Sequence, residues 1–90
     1  MATYWSDMCW KQTCLYRIWD AEGALLYVGI STNPDMRMYK HKRRQPWWAE
    51  VDSVSYEWFP NRESAQGAER SAIHHEHPVY NVVRPRMECC

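Results

Sequence analysis

Cys14-Leu15-Tyr16-Arg17-Ile18-Trp19-Asp20-Ala21-Glu22-Gly23-Ala24-Leu25-Leu26-Tyr27-Val28-Gly29-Ile30 is the stretch whose reading decides the fold. Two short apolar and aromatic runs, Cys14 to Trp19 and Ala24 to Ile30, flank Asp20-Ala21-Glu22-Gly23. Asp at the first and Gly at the last position of a four-residue turn suit a type I turn between antiparallel strands. The spacing therefore predicts a β-hairpin. With residues 20–23 as the loop, Trp19 faces Ala24, Ile18 faces Leu25 and Tyr16 faces Tyr27. Two phenols would then stand side by side on one sheet face, with Gly29 beside them leaving room for an approaching group. A three-residue loop with a bulge would break this pairing.

Beyond the hairpin, Thr32-Asn33-Pro34 supplies a helix cap followed by Pro in the first turn, predicting a helix from Pro34 to about Lys42 that Gln45-Pro46 breaks. From Val51 to Phe59 the chain alternates, with Asp52, Val54, Tyr56 and Trp58 the more apolar set, which predicts a third, half-buried strand. Pro60-Asn61 starts a second helix from Arg62 to about Glu76. Pro78 ends it, and Tyr80 to Val83 could add an extended segment. The fold class is α+β: a small three-stranded antiparallel sheet flanked by helices, in the order ββαβα. Residues 1–12 read as an N-terminal tail, 13–83 as the domain and 84–90 as a C-terminal tail.

Ninety residues make one small domain, and at 46 % hydrophobic it has enough apolar material for one core. No apolar run approaches the roughly 18–20 residues that span a bilayer, and the first residues lack the pattern of a secretory signal. The expectation is a soluble cytoplasmic protein whose four cysteines are reduced thiols. Formal net charge is zero, but the sum hides its distribution. Arg37-Met38-Tyr39-Lys40-His41-Lys42-Arg43-Arg44 contains no acid, whereas acids gather at Glu50 to Glu57 and at Glu63, Glu69 and Glu76. Such a run is ordinarily a solvated face; it is also the form of a local phosphate-binding patch.

In the second helix Ala65, Ala68, Ala72 and Ile73 form one stripe at helical spacing, and Glu69 lies within it. A carboxylate on a core-facing stripe needs a partner or a metal. The plain alternative is a Glu at the stripe's edge that bends to solvent or pairs with an Arg. Arg37 and His41, four residues apart, share a face of the first helix. A lone helical His, like a pair of strand tyrosines, is by itself ordinary.

Their joint order is not ordinary. Tyr16, Tyr27-Val28-Gly29, Arg37 with His41, Glu69 in a helix and Asn81 after Pro78 together resemble the GIY-YIG nuclease family. Cys14-Leu15-Tyr16 stands where that family has Gly-Ile-Tyr, and Tyr27-Val28-Gly29 where it has Tyr-Ile-Gly. Pro78-Val79-Tyr80-Asn81 resembles its closing Pro-x-Tyr-Asn segment. The resemblance covers about residues 14–82, and Cys14 in place of the first Gly is its main departure.

What the resemblance implies is a metal-dependent endonuclease that hydrolyses DNA phosphodiester bonds. Glu69 would be the sole protein ligand of one Mg2+ or Mn2+. Arg37 would neutralise charge on the scissile phosphate, and Tyr16, with Tyr27 as the second choice, would take the proton from the attacking water. A free phenol has a pKa near 10, so a tyrosine base needs positive charge nearby; Arg37, His41 and the metal could supply it. His41 could instead hold the phenol or be the base itself, and Asn81 would orient a neighbour. Lys40, Lys42, Arg43 and Arg44 would contact the DNA backbone without reading sequence. Trp47 and Trp48 could stack on bases, although packing is the first reading for such a pair. The domain is bare, so target choice would come from DNA structure, a homodimer or a targeting partner protein. Two rivals stand beside this reading: a catalytically silent nucleic-acid-binding module on the same fold, and a zinc-stabilised interaction protein using Cys9, Cys14, Cys89, Cys90 and His74-His75-Glu76-His77. The ligand spacing is poor for zinc.

Overall fold

The computed structural model describes residues 11–81. Its elements are β1 (Thr13–Asp20), β2 (Leu25–Ser31), α1 (Pro34–Arg44), a 3-10 turn (Pro46–Glu50), β3 (Val51–Phe59) and α2 (Arg62–Glu76). The three strands form one antiparallel sheet in the order β2-β1-β3. The ββαβα order is as expected, with a 3-10 turn added after Pro46. No described helix is long and apolar enough to cross a membrane.

Local chemistry explains both helix starts. Asn33 caps α1 by accepting from the Met36 amide, and Asn61 caps α2 by accepting from the Ser64 amide. Asp35 in the first turn of α1 and Lys42, Arg43 and Arg44 in its last suit the helix dipole. α2 closes with His77 in the left-handed region at φ 52°, its amide donating to the Ile73 carbonyl just before Pro78.

The hairpin forms, but its register differs from the one expected. Asp20 and Ala24 close a three-residue loop in which Gly23 has φ +84°, a conformation that costs Gly least. Leu26 is then an extra residue in β2, because Trp19 pairs with Leu25 while Ile18 pairs with Tyr27. Tyr16 therefore stands opposite Gly29, not Tyr27. Loop and bulge each slip the pairing by one residue. Two slips preserve the face, since side chains alternate with period two, and the phenols remain on the same side as diagonal neighbours.

Each sheet face carries its own core. On one, Cys14, Tyr16, Ile18, Leu26 and Trp47 are buried together, with Tyr27, Met38, Trp48, Val51, Val54 and Tyr80 packed against them. On the other, Leu15, Val28 and Ile30 meet Ala65 and Ala72 of α2. The stripe expected on α2 is the stripe that packs. β3 departs from expectation: Val54 is partly buried, but Tyr56 and Trp58 are exposed. β3 is an edge strand, and the cover over this face reaches only its first half. The segment after α2 forms a turn at 79–80 rather than a strand, and residues 82 and 83 lie outside the described residues.

Candidate active site

Tyr16 sits on the central strand and is 1 % exposed. Its ring lies over Gly29, where an added Cβ would collide with the Tyr16 hydroxyl and come within 3.0 Å of Tyr27 Cε2. Gly29 thus makes room for the catalytic candidate itself rather than for a visiting group. The Tyr16 and Tyr27 rings stack with centroids 6.1 Å apart. His41 comes down from α1 onto both, its centroid 5.7 Å from that of Tyr16 and 4.9 Å from that of Tyr27.

The Tyr16 hydroxyl and Nε2 of His41 are 2.8 Å apart in a buried hydrogen bond. The phenol donates when the imidazole carries its proton on Nδ1. Burial, and after it the charge of Arg37, lowers the His41 pKa to about 4. The imidazole is therefore neutral at physiological pH and able to accept the phenol's hydrogen bond. This corrects one expectation: His41 adds no positive charge beside the phenol, because desolvation removes it. Arg37 lies near enough to His41 to lower its pKa further, and its guanidinium donates to the Ile30 carbonyl at 3.4 Å near the end of β2.

Two further aromatic residues hold this cluster. Trp47, in the 3-10 turn, is buried and stacks on Tyr27 at 5.5 Å and on Tyr80 at 5.5 Å, with the His41 ring also 5.5 Å away. Tyr80 donates from its hydroxyl to Glu50 at 2.7 Å. The packing reading of Trp47 is the one the structure bears out. Tyr80 stands in the Pro78-Val79-Tyr80-Asn81 segment already marked in the sequence.

Asn81 does what a positioning residue would. Its side-chain carbonyl accepts from the Val28 amide at 2.7 Å and its amide donates to the Val28 carbonyl at 2.9 Å. Val79 and Tyr80 donate to the consecutive carbonyls of Leu25 and Leu26. Strand carbonyls normally alternate in direction, so the bulge is what turns both toward this segment. Residues 79–81 therefore clamp β2 on either side of Tyr27.

Glu69 is 3 % exposed, the one buried carboxylate among the described residues. It lies between Ala65 and Ala72 on the buried side of α2, the helix that packs on the sheet face opposite the tyrosines. Lys40, Lys42, Arg43 and Arg44 are exposed on α1, and Arg43 is partly engaged, donating to the Tyr39 hydroxyl at 2.9 Å. Cys14 is a core residue, and burial raises its thiol pKa. Among the described residues no three His, Cys, Asp or Glu side chains cluster as a metal site, while Cys9, Cys89 and Cys90 lie outside them.

The arrangement is a phenol and a neutral imidazole sharing a buried hydrogen bond, flanked by a second phenol and an arginine. Comparison with known families agrees with the order of motifs: the family model described as GIY-YIG catalytic domain matches residues 12–81. No curated protein and no solved structure matches significantly.

Proposed function

The chain belongs to the GIY-YIG catalytic-domain family, whose members are generally nucleases, and we propose on that premise that it is a metal-dependent endonuclease acting on DNA. The observation that carries the reading is the 2.8 Å contact between Tyr16 and His41 with Arg37 one turn away on the same helix. Phosphodiester hydrolysis needs a base for the attacking water and positive charge for the phosphoryl oxygens. Tyr16 takes a proton from water as its own hydroxyl proton passes to Nε2 of His41. The negative charge of a bound phosphate favours the imidazolium that results. Arg37 faces the developing charge on the phosphate, and Asn81 keeps the Tyr27–Gly29 backbone in place.

A hard cation held by one carboxylate and by substrate phosphate needs no cluster of protein ligands. The residue that the family resemblance would assign to it is Glu69, which is buried on α2 and is not among the groups gathered around Tyr16 and His41. When bound, the ion supplies Lewis-acid stabilisation of the phosphoryl oxygens. Lys40, Lys42, Arg43 and Arg44 extend the contact to neighbouring phosphates.

One observation favours a second assignment of the base. Tyr16 is sealed, whereas Tyr27 is only partly buried and better placed to meet water. The test is conversion of supercoiled plasmid to nicked or linear DNA with Mg2+, Mn2+ or EDTA, by intact protein and by Glu69→Ala, Tyr16→Phe and Tyr27→Phe. Metal-dependent cutting that disappears with Glu69→Ala is expected, and the phenol whose loss costs more is the base. DNA binding without cutting by intact protein would instead identify a silent binding module.

A further inference from the structure

Among the described residues, no element packs over the second half of β3 on one sheet face. Tyr56 and Trp58 are 47 % and 51 % exposed, yet they stand on the face of the buried Tyr16 and Cys14, with which they pair across the ladder. Among the described residues, the core cluster on this face takes in Val51 and Val54 of β3 but neither Tyr56 nor Trp58. Residues two apart on a strand project from the same face roughly 7 Å apart. Two half-open aromatic rings thus continue the floor of the candidate active site toward the sheet edge.

Charge narrows what they could meet. Asp35, in the first turn of α1, lies close enough that its charge, after burial, helps raise the Tyr56 pKa. A carboxylate there repels phosphate and tolerates a neutral base. The cations follow along the same helix, from Arg37 through Lys40 to Lys42, Arg43 and Arg44. The phosphate-attracting groups therefore run along α1, while the two rings lie on β3. Stacking on exposed rings tolerates any base, but paired bases keep their faces covered by their neighbours. A second copy of this chain fits less well. About half of the roughly 150–250 Å2 an aromatic side chain can bury gives these two on the order of 200 Å2, against about 800 Å2 per partner in a standard interface.

We propose that Tyr56 and Trp58 form a stacking platform for unpaired bases, so that the preferred ligand is DNA with a single-stranded segment beside the candidate active site. That this ligand is DNA rests on the nuclease reading; the platform is tested without cutting. Binding of a labelled single strand and of a blunt duplex of the same sequence would be followed by fluorescence anisotropy in EDTA. Intact protein should bind the strand more tightly than the duplex. The Tyr56→Ser/Trp58→Ser double variant should lose roughly tenfold or more in affinity for the strand, with duplex binding unchanged. Tyr56→Phe/Trp58→Phe should keep the preference, because a ring remains. Equal loss on both ligands, or no loss on the strand, overturns the platform. So does a dimer of intact protein in sedimentation that the double Ser variant lacks. Plasmid cutting with metal but without strand preference would defeat the platform and leave the nuclease; strand preference without cutting would do the reverse.

Discussion

The two faces of this sheet are packed by opposite means. Toward α1 and the 3-10 turn the core holds a cluster of rings, Tyr16, Tyr27, His41, Trp47 and Tyr80, beside Cys14, Ile18 and Leu26. Toward α2 it is made of small and aliphatic side chains, Ala65 and Ala72 against Leu15, Val28 and Ile30. Alanines let a helix lie close to a sheet and give a smooth contact, but they hold no proton and make no hydrogen bond. Rings have few rotatable bonds, so packing them fixes where their hydroxyl and imidazole groups point. The chemistry of the phenols gathers on the stiff aromatic face, while the opposite face contributes one buried carboxylate.

Substitutions can break this contrast. The largest effect is expected from Trp47→Ala, which empties the centre of the aromatic face. Loss of a buried Trp costs about 3–5 kcal/mol, read as a lower midpoint in urea, and cleavage should fall further than the unfolded fraction explains because Tyr27 and His41 lose their support. An equal fall in stability with unchanged activity would show that the stack does not orient the site.

Next in size is the pH dependence of stability. The His41 pKa is lowered from 6.5 to about 4 in the folded protein. On acidification the unfolded chain therefore takes up this proton first. The contribution is fully present above pH 6.5 and is lost as pH falls toward 4. That interval corresponds to at most roughly 3 kcal/mol. Denaturant melts at pH 7, 5.5 and 4 would follow it, and His41→Phe should flatten the profile across the same window.

The two glycines of the sheet and of α2 sharpen the comparison further. Gly29→Ala pushes a methyl into the Tyr16 ring, and overpacking of this kind costs about 1–3 kcal/mol. It should also lower cleavage by disturbing the Tyr16–His41 hydrogen bond. Gly67 sits in α2 with nothing within 4 Å of an added Cβ. Gly67→Ala should therefore raise stability by about 0.5–1 kcal/mol through helix propensity, and leave cleavage alone. Thermal melts of both variants check the pair, and a destabilised Gly67→Ala would mean that α2 is less open there than its surroundings indicate.

Particular residues show how far the sequence reaches. Asp20 and Gly23 announce the hairpin, Asn33-Pro34 and Asn61 the helix starts, and the 65–68–72–73 spacing the buried side of α2. Glu69 inside that stripe was visible because helical periodicity is a local property of the chain. Tyr16, Tyr27, Arg37, His41 and Asn81 were singled out by their order, and the structure brings Tyr16, Tyr27 and His41 together and anchors Asn81 on Val28 between them in the chain. The register was not legible. A loop of three or four residues satisfies the same turn signal, and the bulge at Leu26 depends on the segment 79–81 that occupies its turned carbonyls. The fate of β3 was not legible either. An alternating pattern says which side chains share a face and nothing about whether another element lies over it.

Sequence alone determined the element order, the buried stripe and the set of side chains available for chemistry, because each follows from short-range spacing and residue type. Only the tertiary structure decided that Trp47 holds the rings, that His41 is neutral and bonded to Tyr16, and that Tyr56 and Trp58 stay in the open. Those outcomes depend on desolvation and on which distant segment covers which face, and neither quantity is encoded within a few residues of the group it controls.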